Sequence, residues 1–163
     1  PHFRIWLRDL LKSGKSLNRT IIFVEEKKYG DEISSILSRE FSITNFRTYY
    51  EGEPFITLEK FAEGKSSFNP QGLDAIIACK RISEGIDIKS VDTIIIFSAD
   101  NNRLQTIQRI GRALRTDKDN TDKIATIIDF ISVDLDEHGE RKDETSDMRR
   151  KRWLTDLAKV RRN

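Results

Sequence analysis

Five short apolar runs, separated by stretches with helical patterning, most restrict the fold of this chain of 163 residues. Four of the runs are rich in isoleucine and apolar on both faces, whereas a half-exposed strand would alternate with polar residues. Buried strands that alternate with helices are typical of a parallel sheet covered on both faces. The sequence therefore predicts an α/β domain of three layers, with a mostly parallel sheet. The five runs are Arg19–Glu26, Phe46–Tyr50, Leu73–Lys80, Val91–Ser98 and Lys123–Ile131.

The helical patterning lies between and outside these runs, with apolar residues three or four positions apart. The first helix carries Phe3, Trp6, Leu7, Leu10 and Leu11, and the second carries Ile33, Ile36, Leu37 and Phe41. A short helix follows the second run and ends at Gly64, and a longer one covers Leu104–Arg115. The last helix carries Trp153, Leu154, Leu157 and Val160. We predict one domain over 1–133, a polar linker over 134–147 and a C-terminal helix over 148–163.

The charge is unevenly distributed along the chain. The net charge is only +2, but residues 141–163 contain nine basic and four acidic residues. A basic tail is compatible with nucleic-acid binding. Such a tail is more often a solvated helix face, and the sequence leaves both readings open.

Cysteine content and hydropathy limit the class of protein. A single cysteine, Cys79, excludes a disulfide framework and fits a reducing compartment. No apolar run approaches the length of a membrane span. We expect a cytoplasmic or nucleoid-associated protein with no membrane partner, and the start at Pro1 suggests part of a longer polypeptide.

Several short sequences resemble functional motifs but lack an essential part. The tripeptide Gly-Lys-Ser begins at Gly14 and at Gly64, yet the earlier glycine of a phosphate-binding loop is missing in both cases. The acidic box at Asp136 does not end a strand, and the two histidines are isolated. We therefore expect no metal site and no nucleophilic triad in this chain.

The segment "QRIGRALR", Gln108–Arg115, is the strongest candidate for chemistry. On a helix, Leu104, Ile107, Gly111 and Leu114 share the face that packs on the sheet. Gln108, Arg112 and Arg115 form a stripe beside that face, whereas Arg109 points further round. Two guanidinium groups and an amide on a rigid element suit an anionic phosphate. A surface helix with ordinary salt bridges is the alternative on spacing alone.

A second segment, "ACKRISEGID", runs from Ala78 to Asp87 after the third strand. It resembles motif V of superfamily-2 helicases, A-T-x-x-x-x-x-G-x-D, and "QRIGRALR" matches Q-R-x-G-R-x-x-R of motif VI. "TIIFVEE" resembles motif IV more weakly. The resemblance covers roughly Thr20 to Ile131 and is closest to DNA helicases and translocases of restriction and repair systems.

The resemblance implies the second RecA-like domain of a two-domain motor, which binds ATP and Mg²⁺ between the domains. The absent first domain would hold most of the nucleotide and the metal. Arg112 and Arg115 match arginine-finger positions, and Gln108 would position the attacking water or the phosphate. Gly85 and Asp87 match motif V residues near the nucleotide. Alone, the chain would hydrolyse almost no ATP.

The resemblance also implies a nucleic-acid contact at Cys79, Lys80 and Arg81, with DNA favoured over RNA. The family often has threonine where Cys79 stands, and a thiol is a weak donor, so Lys80 or Arg81 would replace that contact. A small buried residue is the alternative for Cys79, and solvated loop charges are the alternative for the two cations.

Two other readings of the whole chain stay open: a non-catalytic nucleic-acid-binding or regulatory module of helicase ancestry, and a remodelling translocase without strand separation. At the ends of the first two strands, Glu25 and Glu26 are weak candidates for a contact with nucleic acid or the first domain. Tyr49 and Tyr50 are candidates for stacking on a base or for core packing.

Overall fold

The computed structural model describes residues 2–63, 72–79, 91–97, 126–130 and 146–160, apart from the side chains of 62, 63, 146, 147, 150 and 157–160. Five strands are present: β1 (Thr20–Val24), β2 (Phe46–Tyr49), β3 (Ala75–Cys79), β4 (Thr93–Ile96) and β5 (Thr126–Asp129). The described helices are α1 (His2–Lys12), α2 (Lys27–Ser35), a π-helical segment (Ile36–Glu40), α3 (Ile56–Glu63) and α4 (Ser146–Val160).

The five strands form one sheet in the order β2-β3-β1-β4-β5, and every neighbouring pair is parallel. β1 lies at the centre, where Thr20 is level with Ala75 on one side and with Thr93 on the other. All five predicted strands are confirmed, as is the parallel sheet. The sequence pattern did not predict the order of the strands.

Each face of the sheet supports its own buried cluster, because successive strand residues point to opposite sides. On one face, Ile21 and Phe23 pack with Phe61 of α3, and Leu154 of α4 packs against this cluster. On the other face, Ile22 and Val24 pack with α1, α2 and the π-helical segment. The helices therefore cover both faces, as the continuous apolar character of the strands predicts.

The second helix differs in detail from its prediction. Ile33, Ile36 and Leu37 are buried as expected, but the chain widens to a π-helix at Ile36 and leaves it before Phe41. The N–H of Ile43 then donates to the carbonyl oxygen of Leu37, at 2.9 Å. Since the widening keeps Ile36 and Leu37 in the core, apolar spacing alone does not reveal it.

Among the described residues, no helix combines the length and the apolar character that crossing a membrane requires.

Candidate functional site

The carboxyl ends of the five strands lie together at one edge of the sheet, because all the strands are parallel. We call this the carboxyl edge and define it by the residues that end or follow the strands: Glu25, Tyr50, Cys79, Phe97 and Phe130. Ligands of open α/β sheets bind outside this edge. A ligand that contacts residues at the ends of these strands would therefore lie at the carboxyl edge.

Of the residues to which the helicase resemblance assigns a role, Cys79 alone lies within the described part of the chain. It ends β3 beside Val24 of β1, and its Sγ donates to the carbonyl oxygen of Glu25 at 3.2 Å. Its side chain is half-buried and packs against the cluster that includes Ile22 and Val24. The thiol therefore ties the end of β3 to the segment that follows β1.

The other residues to which the resemblance assigns a role lie outside the described residues. They are Lys80, Arg81, Gly85, Asp87, Gln108, Arg112 and Arg115. Lys80 and Arg81 directly follow Cys79 in the sequence, and the segment with Gln108, Arg112 and Arg115 comes after Phe97. Both strand ends that precede these segments, at Cys79 and at Phe97, lie at the carboxyl edge.

Tyr50 forms the centre of a polar network at this edge, beyond the end of β2. Only 5% of the residue is exposed, and its hydroxyl donates to Asp31 Oδ1 of α2 at 3.2 Å. The ring is 2.9 and 3.0 Å, at Cζ and Cε1, from where a Cβ on Gly30 would stand. Burial, and then the nearby negative charge of Asp31, raise the pKa of the Tyr50 phenol. The tyrosine is therefore held neutral against the first turns of α2.

Glu53 holds the loop after β2 in place. Its Oε1 accepts from the hydroxyl of Thr48 at 2.8 Å, and its Oε2 accepts from the backbone N–H of Tyr50 at 3.0 Å. Tyr49 and Tyr50 are 3% and 5% exposed, and each belongs to a buried cluster. Their role in the core is confirmed, and their burial leaves neither ring open for base stacking. No sequence pattern linked Tyr50 to Gly30 or Asp31, because the contact joins two separate elements.

The start of α2 carries two lysines, and the ammonium group of each lies near a tyrosine ring. Lys28 Nζ lies 3.1 Å from Glu26 Oε2 and 4.9 Å from the centroid of the Tyr29 ring. The hydrogen bond with Glu26 raises the pKa of Lys28. Lys27 Nζ lies 5.6 Å from the centroid of the Tyr50 ring. Glu26 therefore offsets the positive charge of Lys28.

Four aromatic side chains meet at the other half of the edge. Phe97 and Phe130, which follow β4 and β5, stack with ring centroids 5.1 Å apart. Phe3 of α1 meets them edge-on, with centroid distances of 5.3 and 6.2 Å, and stacks on Trp6 at 6.0 Å. We call this group, Phe3, Trp6, Phe97 and Phe130, the aromatic clasp. It joins the N-terminal helix to two strand ends, a contact that the sequence did not predict.

Within the described ranges, no three His, Cys, Asp or Glu side chains are grouped so as to hold a metal ion.

Comparison with known proteins defines first the fold and then the family. Domain 2 of the DEAD-box helicase Mss116p, solved bound to an RNA duplex, is similar with a TM-score of 0.57 at 19% identity. That match covers 76% of this chain and 46% of the other, and with the all-parallel sheet it supports the predicted RecA-like fold. Residues 4–117 match the family described as the helicase conserved C-terminal domain. Because this match spans more than half of the chain, the chain belongs to that family.

The curated relatives include both RNA and DNA helicases. The chain is 32% identical over 101 residues to the ATP-dependent RNA helicase glh-3 of Caenorhabditis elegans, covering 61% of this chain and 13% of the relative. It is 25% identical over 105 residues to the ATP-dependent DNA helicase mph1 of Sclerotinia sclerotiorum, covering 61% of this chain and 8% of the relative. The chain thus spans a small part of each relative, and the expected affinity with DNA helicases of restriction and repair stays a prediction.

Proposed function

We propose that this chain is the second motor domain of an ATP-dependent helicase or translocase that acts on nucleic acid, within a longer polypeptide. The observation that carries the proposal is the family match over residues 4–117, which includes both Ala78–Asp87 and Gln108–Arg115. The parallel sheet supports it, because the strands that precede both segments end at the carboxyl edge. The curated relatives are themselves ATP-dependent helicases.

In this proposal the arginines act on the nucleotide. Arg112 and Arg115 donate to the γ-phosphate of ATP held mainly by the first domain, and Gln108 positions the attacking water. Guanidinium groups suit this role because they donate in a planar fork and remain charged at every working pH. Gly85 and Asp87 lie against the nucleotide. Mg²⁺, bound mainly by the first domain, would neutralise phosphate charge.

The proposed nucleic-acid contact lies after β3. Lys80 and Arg81 neutralise backbone phosphates, while Cys79 holds the strand end through its bond to the carbonyl oxygen of Glu25. Contacts of this kind read no sequence, so binding should weaken with salt and show little base preference. Relatives of both kinds leave the choice between DNA and RNA to experiment.

The test is ATP hydrolysis by the longer polypeptide, measured without nucleic acid, with DNA and with RNA. Loss of an arginine finger lowers the rate by about 10³–10⁵-fold, and we expect Arg112→Ala to do so while the fold survives. Arg39→Ala is the matched control, because Arg39 is an exposed arginine of the π-helical segment. If only DNA or only RNA stimulates ATP hydrolysis, that nucleic acid is the one on which the motor acts.

The second candidate is a non-catalytic module of helicase ancestry. Two results would favour this module over the motor. The longer polypeptide would hydrolyse no ATP under any condition, or Arg112→Ala would leave the rate of hydrolysis unchanged. The upstream reading frame gives an independent check, since the motor requires a phosphate-binding loop followed by D-E-x-[DH]. A strand-displacement assay separates a helicase from a remodelling translocase.

A further inference from the structure

We propose that the outward face of α4 is a second binding surface for nucleic acid, which contacts backbone phosphates through Arg149 and Lys151. The inference rests on the proposed function, because it concerns the nucleic acid on which the motor acts. The surface is separate from the proposed contact after β3, and its residues lie outside the segments to which the helicase resemblance assigns a role. It favours the first of the two readings that the sequence leaves open for the basic tail.

The positive charge of this chain is concentrated at its C-terminal end. Residues 141–163 hold nine of the 29 basic residues but only four of the 27 acidic ones, which leaves the rest of the chain with a net charge of −3. A polyanion is steered to the place where positive charge is concentrated, and net charge alone does not determine that place. Nucleic acid is therefore attracted to the region that includes α4 rather than to the chain as a whole.

The basic side chains of α4 are exposed, and its apolar side chains are turned towards the domain. Arg149, Lys151 and Arg152 are exposed, whereas Trp153 and Leu154 are half-buried. Within the part of the chain that the structure describes, neither Arg149 nor Lys151 forms an ion pair with a carboxylate. The charges of these two side chains are therefore available to a phosphate, at no cost of breaking an existing pair.

α4 is fixed to the domain, so its exposed charges lie on a rigid surface. Leu154 packs against the buried cluster on the sheet face that α3 also covers, and this cluster includes Phe23 of β1 and Phe61 of α3. Binding groups on a rigid element lose less conformational entropy when a ligand binds than the same groups on a loose tail. The packing of Leu154 thus makes α4 a preformed surface of the domain.

The composition of this surface favours nucleic acid over a protein or a membrane. Interfaces with proteins have an apolar core from which charged residues are depleted, and helices that lie on membranes insert an apolar face. In α4 the apolar Leu154 already packs against the domain. Interfaces with nucleic acid are instead polar and rich in positive charge. The exposed side chains in the described part of α4 are all charged or polar: Arg149, Lys151, Arg152, Thr155 and Asp156.

The experiment measures how salt affects the binding of fluorescent DNA and RNA oligonucleotides to the longer polypeptide. The α4 variant, Arg149→Gln/Lys151→Gln, removes two charges and introduces residues that form helices well. The control, Lys12→Gln/Arg39→Gln, removes two charges from exposed side chains of α1 and the π-helical segment. Those two elements pack on the opposite face of the sheet. Both variants change the net charge equally, so only the location of the lost charges differs.

We expect the α4 variant to bind nucleic acid with a weaker dependence on salt. Each phosphate contact contributes about 0.7–0.9 to the slope of log K against the logarithm of the salt concentration, so the loss of two contacts should lower the slope by about 1.4–1.8. Raising the salt from about 50 to 200 mM should then weaken binding by the wild type about tenfold more than binding by the α4 variant. The control should keep the wild-type slope.

ATP hydrolysis by the same variants separates binding from catalysis. The α4 variant should need more nucleic acid than the wild type for half-maximal stimulation, while kcat at saturating nucleic acid stays unchanged. Circular dichroism checks folding, which substitutions of exposed side chains rarely disturb. If the α4 variant does not fold, Lys151→Gln is compared with Lys12→Gln, and the expected change in slope is about 0.7–0.9.

The outcomes separate the two proposals. An unchanged slope in the α4 variant, or an equal decrease in the α4 variant and the control, refutes the surface and leaves the motor intact. Polyglutamate that displaces the oligonucleotide as well as unlabelled DNA of equal charge does would assign α4 to an acidic protein and overturn the choice of nucleic acid. A wild type that shows the expected slopes but hydrolyses no ATP refutes the motor and leaves the surface. A wild type that binds neither DNA nor RNA refutes both.

Discussion

Substituting Gly30 by alanine should destabilise this protein, although the residue lies in a helix. In an exposed helix the same change stabilises by about 1 kcal/mol, because alanine is the better helix former. Here Gly30 is buried in α2 against the ring of Tyr50. A Cβ would stand 2.9 Å from Cζ and 3.0 Å from Cε1 of that ring, and closer still to the hydroxyl oxygen.

The size of this destabilisation follows from the distance that the Tyr50 ring must move. Carbon atoms in contact prefer a separation of about 3.5–4.0 Å, so the ring of Tyr50 has to shift by about 0.5–1 Å. Overpacking of this kind costs about 1–3 kcal/mol. The shift also disturbs the hydrogen bond from Tyr50 to Asp31, worth about 1 kcal/mol. After the gain in helix propensity, we expect a net loss of about 1–3 kcal/mol in the free energy of unfolding.

Urea unfolding, followed by circular dichroism, measures this loss from the midpoint at constant slope. The matched background is Tyr50→Phe, which removes the nearest atom from the path of the new Cβ. In that background the cost of Gly30→Ala should fall by about 1 kcal/mol, a coupling that a double-mutant cycle isolates. Stabilisation of the wild type by Gly30→Ala, or an identical cost in both backgrounds, would refute the close contact.

Three further predictions concern charge and packing. Arg4 lowers the pKa of Glu40 through their hydrogen bond. The pair therefore stabilises the folded state at pH values above the ordinary glutamate pKa, and this stabilisation is lost as the pH falls through the lowered pKa of Glu40. The difference in melting temperature between wild type and Glu40→Gln should shrink accordingly on acidification, and a constant difference would contradict this. The raised pKa of Tyr50 predicts stability that is lost as pH rises past the ordinary tyrosine value, and Tyr50→Phe should flatten this alkaline decline in urea midpoints. Phe61→Ala should lower the free energy of unfolding in urea by about 3–5 kcal/mol, because Phe61 is fully buried and the guanidinium of Arg19 lies 4.7 Å from its ring centroid. The control, Phe55→Ala, truncates a residue that is 50% exposed and should change that free energy by less than about 0.5 kcal/mol. Equal losses in the two variants would count against the described core.

Much of the fold was predictable because it depends on local patterns. The run of β1 has four consecutive apolar residues, Ile21–Val24, and only a sheet covered on both faces buries both sides of such a strand. The amphipathic spacing of Phe3 and Leu7 likewise predicted α1 and its buried face. The π-helical turn at Ile36 was not predictable, since it keeps the same residues buried as an α-helix would.

Less of the candidate site than of the fold can be compared with the sequence predictions. Gln108, Arg112 and Arg115 stood out because donors at fixed spacing beside an apolar face suit a phosphate, and because the pattern resembles a known motif. They lie outside the described residues, so their roles stay predictions. Cys79 was correctly expected near the end of a strand, and the structure adds its bond to the segment after β1.

The sequence by itself determined the five strands, the helices with strongly periodic apolar faces and the resemblance to helicase motifs, because these depend on residues close together in the chain. Only the tertiary structure decided the strand order, the contact of Gly30 with Tyr50 and the aromatic clasp. Each of these joins residues far apart in the sequence. Phe3 and Phe97 are separated by most of the domain, yet their rings lie 5.3 Å apart because α1 packs across the ends of β4 and β5. Such contacts have no local pattern, since burial against a distant partner is set by the packing of the whole sheet.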